Sequence, residues 1–517
     1  MIQIQKLGDQ MLFGTDGIRG LVCDSPSNDE DAISLLIEER TISPRLLKLV
    51  GESLSRFTKP NSNVIIGWDE RPRNEELVQS LTTGLHLGGC RVIHGGLCST
   101  PALHNAVLET ESAFGCMITA SHNPIADSGI KIFDHEGYKT NPELENEISE
   151  LIIQIAAEDR EVDLSDLESL SLADSKFDAN YAHQILLKKR FDGFCKLFSK
   201  PKSQKLVIDS SKGVAANWLA DMLSEYEIDC TEVSYLANAM NENCGAGELS
   251  PTDKWTWDEA ANSDHHLIKS LTKSPPNQII AAALDGDGDR CLFIESTLDG
   301  FRVVDGDEMA DHILRSAKGE WHLAASIESD LSLSTSLSRL NAKVAFTQTA
   351  VGDRWLSNAL KDSNCNLIGV EDSGHIVLSS PAPRGGSCLV GDGVATLFVV
   401  LCAIAVEDRL ASFPRGYKNR FSIKDTNRNL WDGKNKLADD VANIAETHLG
   451  SLTRGGLAGE ENLMLLEGNG ISIGIRNSGT QAKTNVSLRL ATGVPQETPR
   501  LVQEEIIQML QSKLCEK

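Results

Sequence analysis

Several features that would place the chain in a common class are missing from its sequence. No run approaches the roughly 18–20 consecutive apolar residues of a membrane span. The longest, Val394 to Val406, is too short for one and predicts a buried helix. The first residues, Met1 to Lys6, lack the charged-then-apolar pattern of a secretory signal. We therefore expect no association with a membrane, and the cytoplasm is the expected location.

Metal-binding cysteine pairs and excess positive charge are also missing. The 12 cysteines are scattered from Cys23 to Cys515 without a Cys-x-x-Cys pair, which argues against zinc and against a disulfide framework. The 49 Lys and Arg are outnumbered by 74 Asp and Glu, which leaves a net charge of −25. Nucleic acid is therefore not expected as a partner. An anionic substrate would need a few cations gathered locally, because salt screens charges beyond about 8 Å.

The length and the order of patterns predict several α/β domains. At 517 residues, the chain exceeds what one hydrophobic core usually serves. Helical and strand patterns alternate between Thr41 and His94, as in a parallel α/β sheet. Near the end, three strand patterns precede an amphipathic helix, which favours an α+β domain with an antiparallel sheet. The polar and acidic segment 24–40 resembles an insertion, and no function is assigned to it.

Changes in composition suggest the domain boundaries. The acidic, low-complexity stretch from Arg160 to Asp178 separates the first α/β pattern from the second, and the chain changes character again between Asp408 and Tyr417. We predict α/β domains at residues 1–165, 166–299 and 300–410, followed by a C-terminal α+β domain at 411–517.

A single serine hydroxyl stands at the centre of the segment 118–124, Ile-Thr-Ala-Ser-His-Asn-Pro. An apolar strand pattern leads into it, and Pro124 stops regular structure after it. A loop serine at the end of a buried strand is well placed to carry a transferable group. Because neighbouring residues on an extended loop often point to opposite sides, we interpret His122 as orienting Ser121 rather than as its base.

Asp285, Asp287 and Asp289 alternate with glycine. Every second residue of an extended segment projects to one side, so three carboxylates can converge, and glycine lets the loop curl. Oxygen ligands of this kind predict a magnesium site. A calcium-binding EF-hand is excluded, because Arg290 and Ser296 stand where that loop needs glycine and glutamate. An acidic turn without a metal is the remaining alternative.

Five motifs follow one another along the chain: Phe13–Gly20 (FGTDGIRG), the segment 118–124, Asp285–Arg290 (DGDGDR), Gly369–His375 (GVEDSGH) and Arg476–Thr480 (RNSGT). In sequence and order they resemble the α-D-phosphohexomutase family, and the resemblance covers nearly the whole chain. The opening motif and the residues behind the serine, Asp127 to Lys131 and Gly137 to Lys139, look most like its phosphoglucosamine mutase branch.

The resemblance implies a fold and a reaction. The fold would have three similar mixed α/β domains and a smaller C-terminal α+β domain around a central cleft. Ser121 would carry a phosphate and bind one Mg²⁺ together with the three aspartates. It would exchange phosphate with a hexose monophosphate, converting glucosamine 6-phosphate to glucosamine 1-phosphate. A sugar bisphosphate would be both intermediate and activator. The protein would be a monomer or homodimer.

Further site residues are expected from the same resemblance. Arg19 and Lys131 would lie near the phosphoserine, and Lys131 or His375 is the candidate for general acid–base work. The expected substrate and phosphate contacts are Arg290, Arg354, Glu371, Ser373, Arg476, Ser478, Gly479 and Thr480.

The chain departs from the family in two of these motifs. Val370 and Asp372 replace the glycine and glutamine of the glucosamine branch, so mannose or glucose phosphate is the alternative substrate. In the phosphate loop, Gln481-Ala482 replaces the common Glu-Pro, and Lys483 and Asn485 stand where an arginine is usual. The alternative of another class is a non-catalytic regulator that binds sugar phosphates.

Overall fold

The computed structural model describes residues 12–14, 16–158, 174–477 and 483–515. The chain divides into two compact units: the first comprises residues 1–306 and 373–407, and the second comprises residues 307–372 and 408–517. Both contain sheets with helices, so the mixed α/β class expected from the sequence is confirmed. The division into four domains stays a prediction.

The first sheet of the first unit brings two loops to the same edge. Asn63–Trp68 and Phe114–Ile118 are parallel neighbours, so the segments that follow Trp68 and Ile118 leave the sheet side by side. Asp127–Asp134 returns antiparallel to Phe114–Ile118. The strand order is Thr41–Ile42, Ile18–Val22, Asp127–Asp134, Phe114–Ile118, Asn63–Trp68, Arg91–Leu97 and Ser175–Lys176.

Helices with clear start signals cover this sheet. In Pro44–Ser55 the Ser43 side chain accepts a hydrogen bond from the Leu46 amide, and proline occupies the first turn, where its missing N–H costs nothing. The segment 24–40, expected to be a polar insertion, contains the helix Asp29–Glu39, which buries Leu36 in the core. The helices against this sheet are Asp29–Glu39, Pro44–Ser55, Asn74–Leu87, Thr100–Thr110, Pro142–Ala156 and Ala179–Leu197.

The second sheet of the first unit carries the aspartate motif at the turn between Ile279–Leu284 and Cys291–Ser296, which pair antiparallel. Its strand order is Lys254–Thr256, Gly300–Val304, Cys291–Ser296, Ile279–Leu284, Gln204–Asp209 and Ile228–Glu232. Its helices are Leu219–Ser224, Trp257–Ala261 and His266–Ser270, with short 3₁₀ turns at Val214–Asn217, Ser234–Leu236 and Ala246–Glu248.

The hairpin Ile376–Pro381 and Ser387–Gly391 completes the first unit together with the helix Gly393–Ile404. This helix is apolar all round and buried from Gly393 to Ala403, so the prediction of a buried helix is confirmed. The Gly393 amide, the first of this helix, donates a hydrogen bond to the Gly288 carbonyl oxygen at 3.0 Å. This bond ties the helix to the turn that carries the aspartates.

The second unit holds a small parallel sheet and an antiparallel one. Lys343–Thr349, Glu320–Ser326 and Asn366–Val370 are parallel. The three predicted C-terminal strands and the closing helix are confirmed. The strands belong to an antiparallel sheet with the strand order Tyr417–Lys424, Lys483–Leu490, Ile471–Asn477, Glu460–Gly468 and Thr453–Leu457. The helices are Gly306–Leu314, Leu331–Thr335, Asp353–Leu360, Lys436–Leu449 and Glu497–Leu514, with 3₁₀ turns at Leu337–Arg339 and Arg428–Leu430. No helix in the described part of the chain is long and apolar enough to cross a bilayer.

Candidate active site

Ser121 lies three residues beyond the strand Phe114–Ile118 and is buried, with 1% of its surface exposed. Its hydroxyl donates to Asp285 Oδ2 at 2.9 Å, and His122 Nδ1 lies 3.4 Å away. Its backbone adopts a φ of 55°, which is uncommon for a residue other than glycine. The Thr119 hydroxyl accepts a hydrogen bond from the Ser121 amide at 2.8 Å and helps to hold this conformation.

Arg71, which the sequence interpretation missed, holds the rest of this loop. Its guanidinium donates to the carbonyl oxygens of Ser121 at 2.8 Å and Asn123 at 2.9 Å, and also to those of Pro124 and Asp127. Asp69 pairs with Arg71 at 3.2 Å and accepts the Thr119 hydroxyl. The available signal was Asp69 and Arg71 themselves, charged residues directly after a strand that is buried at four of its six positions.

The three aspartates of the second sheet converge, as predicted. All are buried, and one oxygen from each lies within 4.8 Å of the others. Of the two expected reasons, the alternation of an extended segment is wrong, because the segment forms a turn, while the curling allowed by glycine is found. The Gly288 amide donates to the Asp285 carbonyl oxygen at 3.1 Å with Gly288 at a φ of 74°, so a tight turn brings the carboxylates together.

Lys131 lies against this cluster. Its Nζ donates to Asp287 Oδ2 at 2.6 Å and to Asp289 Oδ2 at 2.7 Å, and lies 3.2 Å from Asp16 Oδ2. Burial opposes its charge, but the three carboxylates outweigh burial and raise the pKa of Lys131 well above its usual value. Asp16 also pairs with Arg19 at 2.6 Å, which joins Arg19 to the same cluster.

The carboxylate oxygens that Lys131 does not reach indicate that a cation fits here. Asp287 Oδ1 and Asp289 Oδ1 are buried and accept no hydrogen bond from the residues the structure describes. The pKa of Asp285 is raised well above its usual value, first by burial and then by Asp289 and Asp287. Buried unpartnered charge is costly, and hard oxygen donors suit Mg²⁺. The residues present therefore fit the expected metal.

Arg290 and His375 are also brought to the aspartate turn. The backbones of Arg290 and His375 form an isolated antiparallel β-bridge. His375 Nδ1 lies 3.9 Å from Asp289 Oδ1. Arg290 Nε lies 4.0 Å from Asp285 Oδ2. The charge of Arg290, followed by burial, lowers the pKa of His122 to about 3, so His122 is neutral near pH 7. Ser373 is partly exposed, two residues before His375.

The remaining predicted contacts belong to the second unit. Glu371 Oε1 accepts the Gly352 amide at 2.7 Å, and the Arg354 guanidinium lies 5.5 Å from the centre of the Trp355 ring. Arg476 pairs with Glu328 at 3.2 Å and with Glu460 at 3.3 Å. The other members of the predicted phosphate loop lie outside the described residues: Ser478, Gly479, Thr480 and the Gln481-Ala482 substitution.

A serine hydroxyl bonded to a buried group of three carboxylates, with lysine and arginine beside it, suits phosphoryl transfer. The fold and the site together define a class of protein: multi-sheet α/β proteins with a site suited to phosphoryl transfer. Models of the phosphoglucomutase/phosphomannomutase α/β/α domains I and III match residues 10–159 and 305–415. A phosphoglucosamine mutase of Roseobacter denitrificans is 30% identical over 74% of this chain and 76% of its own. The chain belongs to this phosphohexomutase family, and it is an enzyme of the isomerase class.

Other relatives extend the match to the rest of the chain. A phosphoglucosamine mutase of Prochlorococcus marinus (strain MIT 9215) is 27% identical over 91% of this chain and 92% of its own. The phosphoglucomutase parafusin of Paramecium superposes with a TM-score of 0.64 at 18% identity, covering 97% of this chain and 96% of its own. The Aspergillus fumigatus N-acetylphosphoglucosamine mutase in complex with GlcNAc-6P and magnesium superposes with a TM-score of 0.59 at 14% identity. This match covers 98% of this chain and 97% of that chain. These two likenesses show the fold.

Proposed function

We propose that this enzyme moves a phosphate between the 6 and 1 positions of a hexose, with Ser121 as the phosphate carrier. One observation carries the proposal: Ser121 Oγ lies 2.9 Å from Asp285 Oδ2, beside two aspartates that each keep one buried oxygen without a hydrogen-bond partner among the described residues. A hydroxyl in that position can hold a phosphate where cations neutralise its charge.

In the proposed reaction, phosphoserine 121 gives its phosphate to the free hydroxyl of a hexose monophosphate, and a sugar bisphosphate forms. After the bisphosphate turns over, Ser121 Oγ takes back the other phosphate. Arg71 fixes the loop carbonyls so that the serine keeps its orientation throughout. Asp285, Asp287 and Asp289 would hold Mg²⁺, which when bound supplies positive charge beside the phosphate.

Two groups are candidates for moving the sugar proton. Lys131 is held in its charged form by three carboxylates, which suits an electrostatic partner of the phosphate better than a group that must release its proton. His375 is buried 3.9 Å from Asp289, and we favour it as the base that removes the proton of the attacking hydroxyl. Arg19, held by Asp16, and Arg290 would add positive charge near the transferred phosphate.

Glucosamine phosphate is the favoured substrate, supported by curated relatives that are named phosphoglucosamine mutase. A second candidate, mannose or glucose phosphate, is supported by Asp372. Where the glucosamine branch usually has glutamine, Asp372 forms a 2.7 Å ion pair with Lys418, so the sugar-binding motif carries a different charge. A sugar bisphosphate activator, a cytoplasmic location and a monomeric or dimeric state remain part of the proposal.

The deciding experiment compares glucosamine 6-phosphate, mannose 6-phosphate and glucose 6-phosphate on purified enzyme, with Mg²⁺ and glucose 1,6-bisphosphate present. We expect turnover with all three to depend on Ser121 and kcat/KM to be highest for glucosamine 6-phosphate. A higher kcat/KM for another sugar would establish the second candidate. Binding of these compounds without turnover of any would identify a non-catalytic regulator.

A further inference from the structure

Two arginines on different strands of the second unit meet at one carboxylate. Glu328 Oε2 lies 2.7 Å from Arg420 Nη1, and its Oε1 lies 3.2 Å from Arg476 Nη2. Glu460 adds a contact to Arg476 at 3.3 Å. We call Arg420, Arg476, Glu328 and Glu460 the arginine–glutamate cluster. A carboxylate between two guanidinium groups offsets the repulsion of their like charges.

The register of the antiparallel sheet explains how Arg420 comes to lie beside Arg476. Asn485 stands where the family usually has an arginine, and it pairs with Arg476 on one side and Ser422 on the other. Arg420 is two residues before Ser422, so it projects from the same face of the sheet. The side-chain charge that is missing at position 485 is thus present on the neighbouring strand.

The cations around the arginine–glutamate cluster outnumber the carboxylates, so the cluster can bind a further anion. Lys483 begins the strand next to Arg476, and burial followed by the charges of Arg420 and Arg476 lowers its pKa. Arg354 acts on Glu460 and Asp372 acts on Arg420, so four cations face three carboxylates. A guanidinium recognises a carboxylate and a phosphate through the same pair of N–H groups, and a phosphate monoester carries about −1.5 to −2 charge. Phosphate would therefore gain more here than one carboxylate does.

We propose that Arg420 is a second phosphate-binding residue beside Arg476, and that Glu328 occupies both guanidinium groups until a substrate phosphate replaces it. The inference rests on the proposed function, since the phosphate is that of the hexose phosphate. Arg420 is the more accessible partner, with 55% of its side chain exposed against 15% for Arg476. It is therefore free to turn toward an incoming anion.

The test measures binding of inorganic phosphate to the full-length chain by calorimetry, together with KM and kcat for the hexose phosphate. Arg420→Ala should weaken phosphate binding roughly 10-fold, and Arg476→Ala at least as much, because each loses a charge-assisted contact. KM should rise with little change in kcat. Glu328→Gln should tighten phosphate binding roughly 3- to 10-fold, and this gain should shrink in the double variant with Arg420→Ala.

Two matched controls remove the same charges elsewhere in the second unit. Arg454→Ala breaks a 2.7 Å pair with Asp439, and Glu467→Gln breaks a 3.4 Å pair with Arg489. Neither should alter phosphate binding. Circular dichroism and thermal unfolding verify that every variant is folded.

Separate results would overturn the inference and the proposed function. If Arg476→Ala weakens phosphate binding while Arg420→Ala does not, Arg420 is no phosphate ligand. If Glu328→Gln leaves affinity unchanged or lowers it, Glu328 does not compete with phosphate. A wild-type enzyme that turns over no hexose phosphate, combined with weaker phosphate binding in Arg420→Ala, would overturn the proposed function and leave this inference standing.

Discussion

Each unit contains a lysine held between two aspartates, and the two clusters behave differently. In the first unit, Lys131 contacts Asp287 and Asp289 at 2.6 and 2.7 Å. In the second, Lys418 contacts Asp372 and Asp307 at 2.7 and 3.1 Å. The contacts are alike, yet the pKa of Asp289 is held below its usual range while that of Asp372 is raised to about 7.

The difference comes from the groups around each lysine. Burial would raise the pKa of Asp289, but Lys131 and His375 outweigh it. Burial also raises that of Asp372, where Lys418 offsets only part of the effect and Asp307 adds to it. Both clusters leave carboxylate oxygens, Asp307 Oδ1 among them, without hydrogen bonds from the part of the chain that the structure describes. Within the described ranges, however, only the first brings three carboxylates together. A lysine–aspartate pair alone therefore does not mark a metal site.

The largest effect should come from removing the hydroxyl at the first cluster. Ser121→Ala should lower turnover by more than about 10³-fold, because no other nucleophile can carry the phosphate. Intact-mass measurement should find one phosphate on the wild type and none on the variant. Ser128→Ala, which removes another buried hydroxyl near the loop, should keep the phosphate. A phosphate that persists in Ser121→Ala would assign the carrier role to another residue.

A smaller effect distinguishes the two aspartate clusters by their metal dependence. Asp287→Asn should weaken Mg²⁺ binding by roughly 10- to 100-fold or more, because it removes charge from a ligand whose Oδ1 accepts no hydrogen bond from any described residue. Activity should fall sharply at limiting Mg²⁺ and recover in part at high Mg²⁺. Asp372→Asn is the matched control and should leave the Mg²⁺ dependence unchanged. If both variants shift it equally, the comparison between the clusters fails.

The elements that the sequence predicts well are those whose signal is local. The apolar strand before Ser121 and the Asp-Gly alternation are contiguous patterns, and both the strand and the convergence are found. The role of Arg71 could not be assigned from the sequence. Its partners are backbone carbonyl oxygens 50 to 56 residues away, and only the folded sheet brings them near. The strand Thr453–Leu457 was also missed, since its two glycines give it no alternating pattern.

The cluster of the second unit depends even more on distant residues. Asp372 lies in a recognisable motif, but Lys418, its partner, is 46 positions later on a strand that the sequence pattern did not reveal. Lys418 stands on the strand Tyr417–Lys424, and no local pattern specifies the pairing of this strand with Lys483–Leu490. The same limitation hid the contacts of Arg420.

The smallest expected effect is a pH dependence of stability specific to the second cluster. The pKa of Asp372 is about 7 in the folded protein, against about 3.9 in an unfolded chain. Between these values the folded state holds one more proton than the unfolded state, so stability falls as pH rises toward 7. Asp372→Asn removes this decrease in stability, because asparagine does not titrate. The asparagine side-chain oxygen can still accept a hydrogen bond from Lys418.

The variant should therefore gain stability relative to wild type from pH 5.5 to 7, and the gain should level off above pH 7. The slope is about 1.4 kcal/mol per pH unit at most, which corresponds to a melting-temperature difference on the order of 1 °C per unit for a chain of 517 residues. Thermal unfolding at matched ionic strength measures it. Asp439→Asn, at an aspartate that is 59% exposed and paired with Arg454, controls for the loss of one negative charge and should show a smaller change. A difference for Asp372→Asn that stays flat, or that shrinks as pH rises, would mean that Lys418 keeps Asp372 ionised, and the two clusters would then be electrostatically alike.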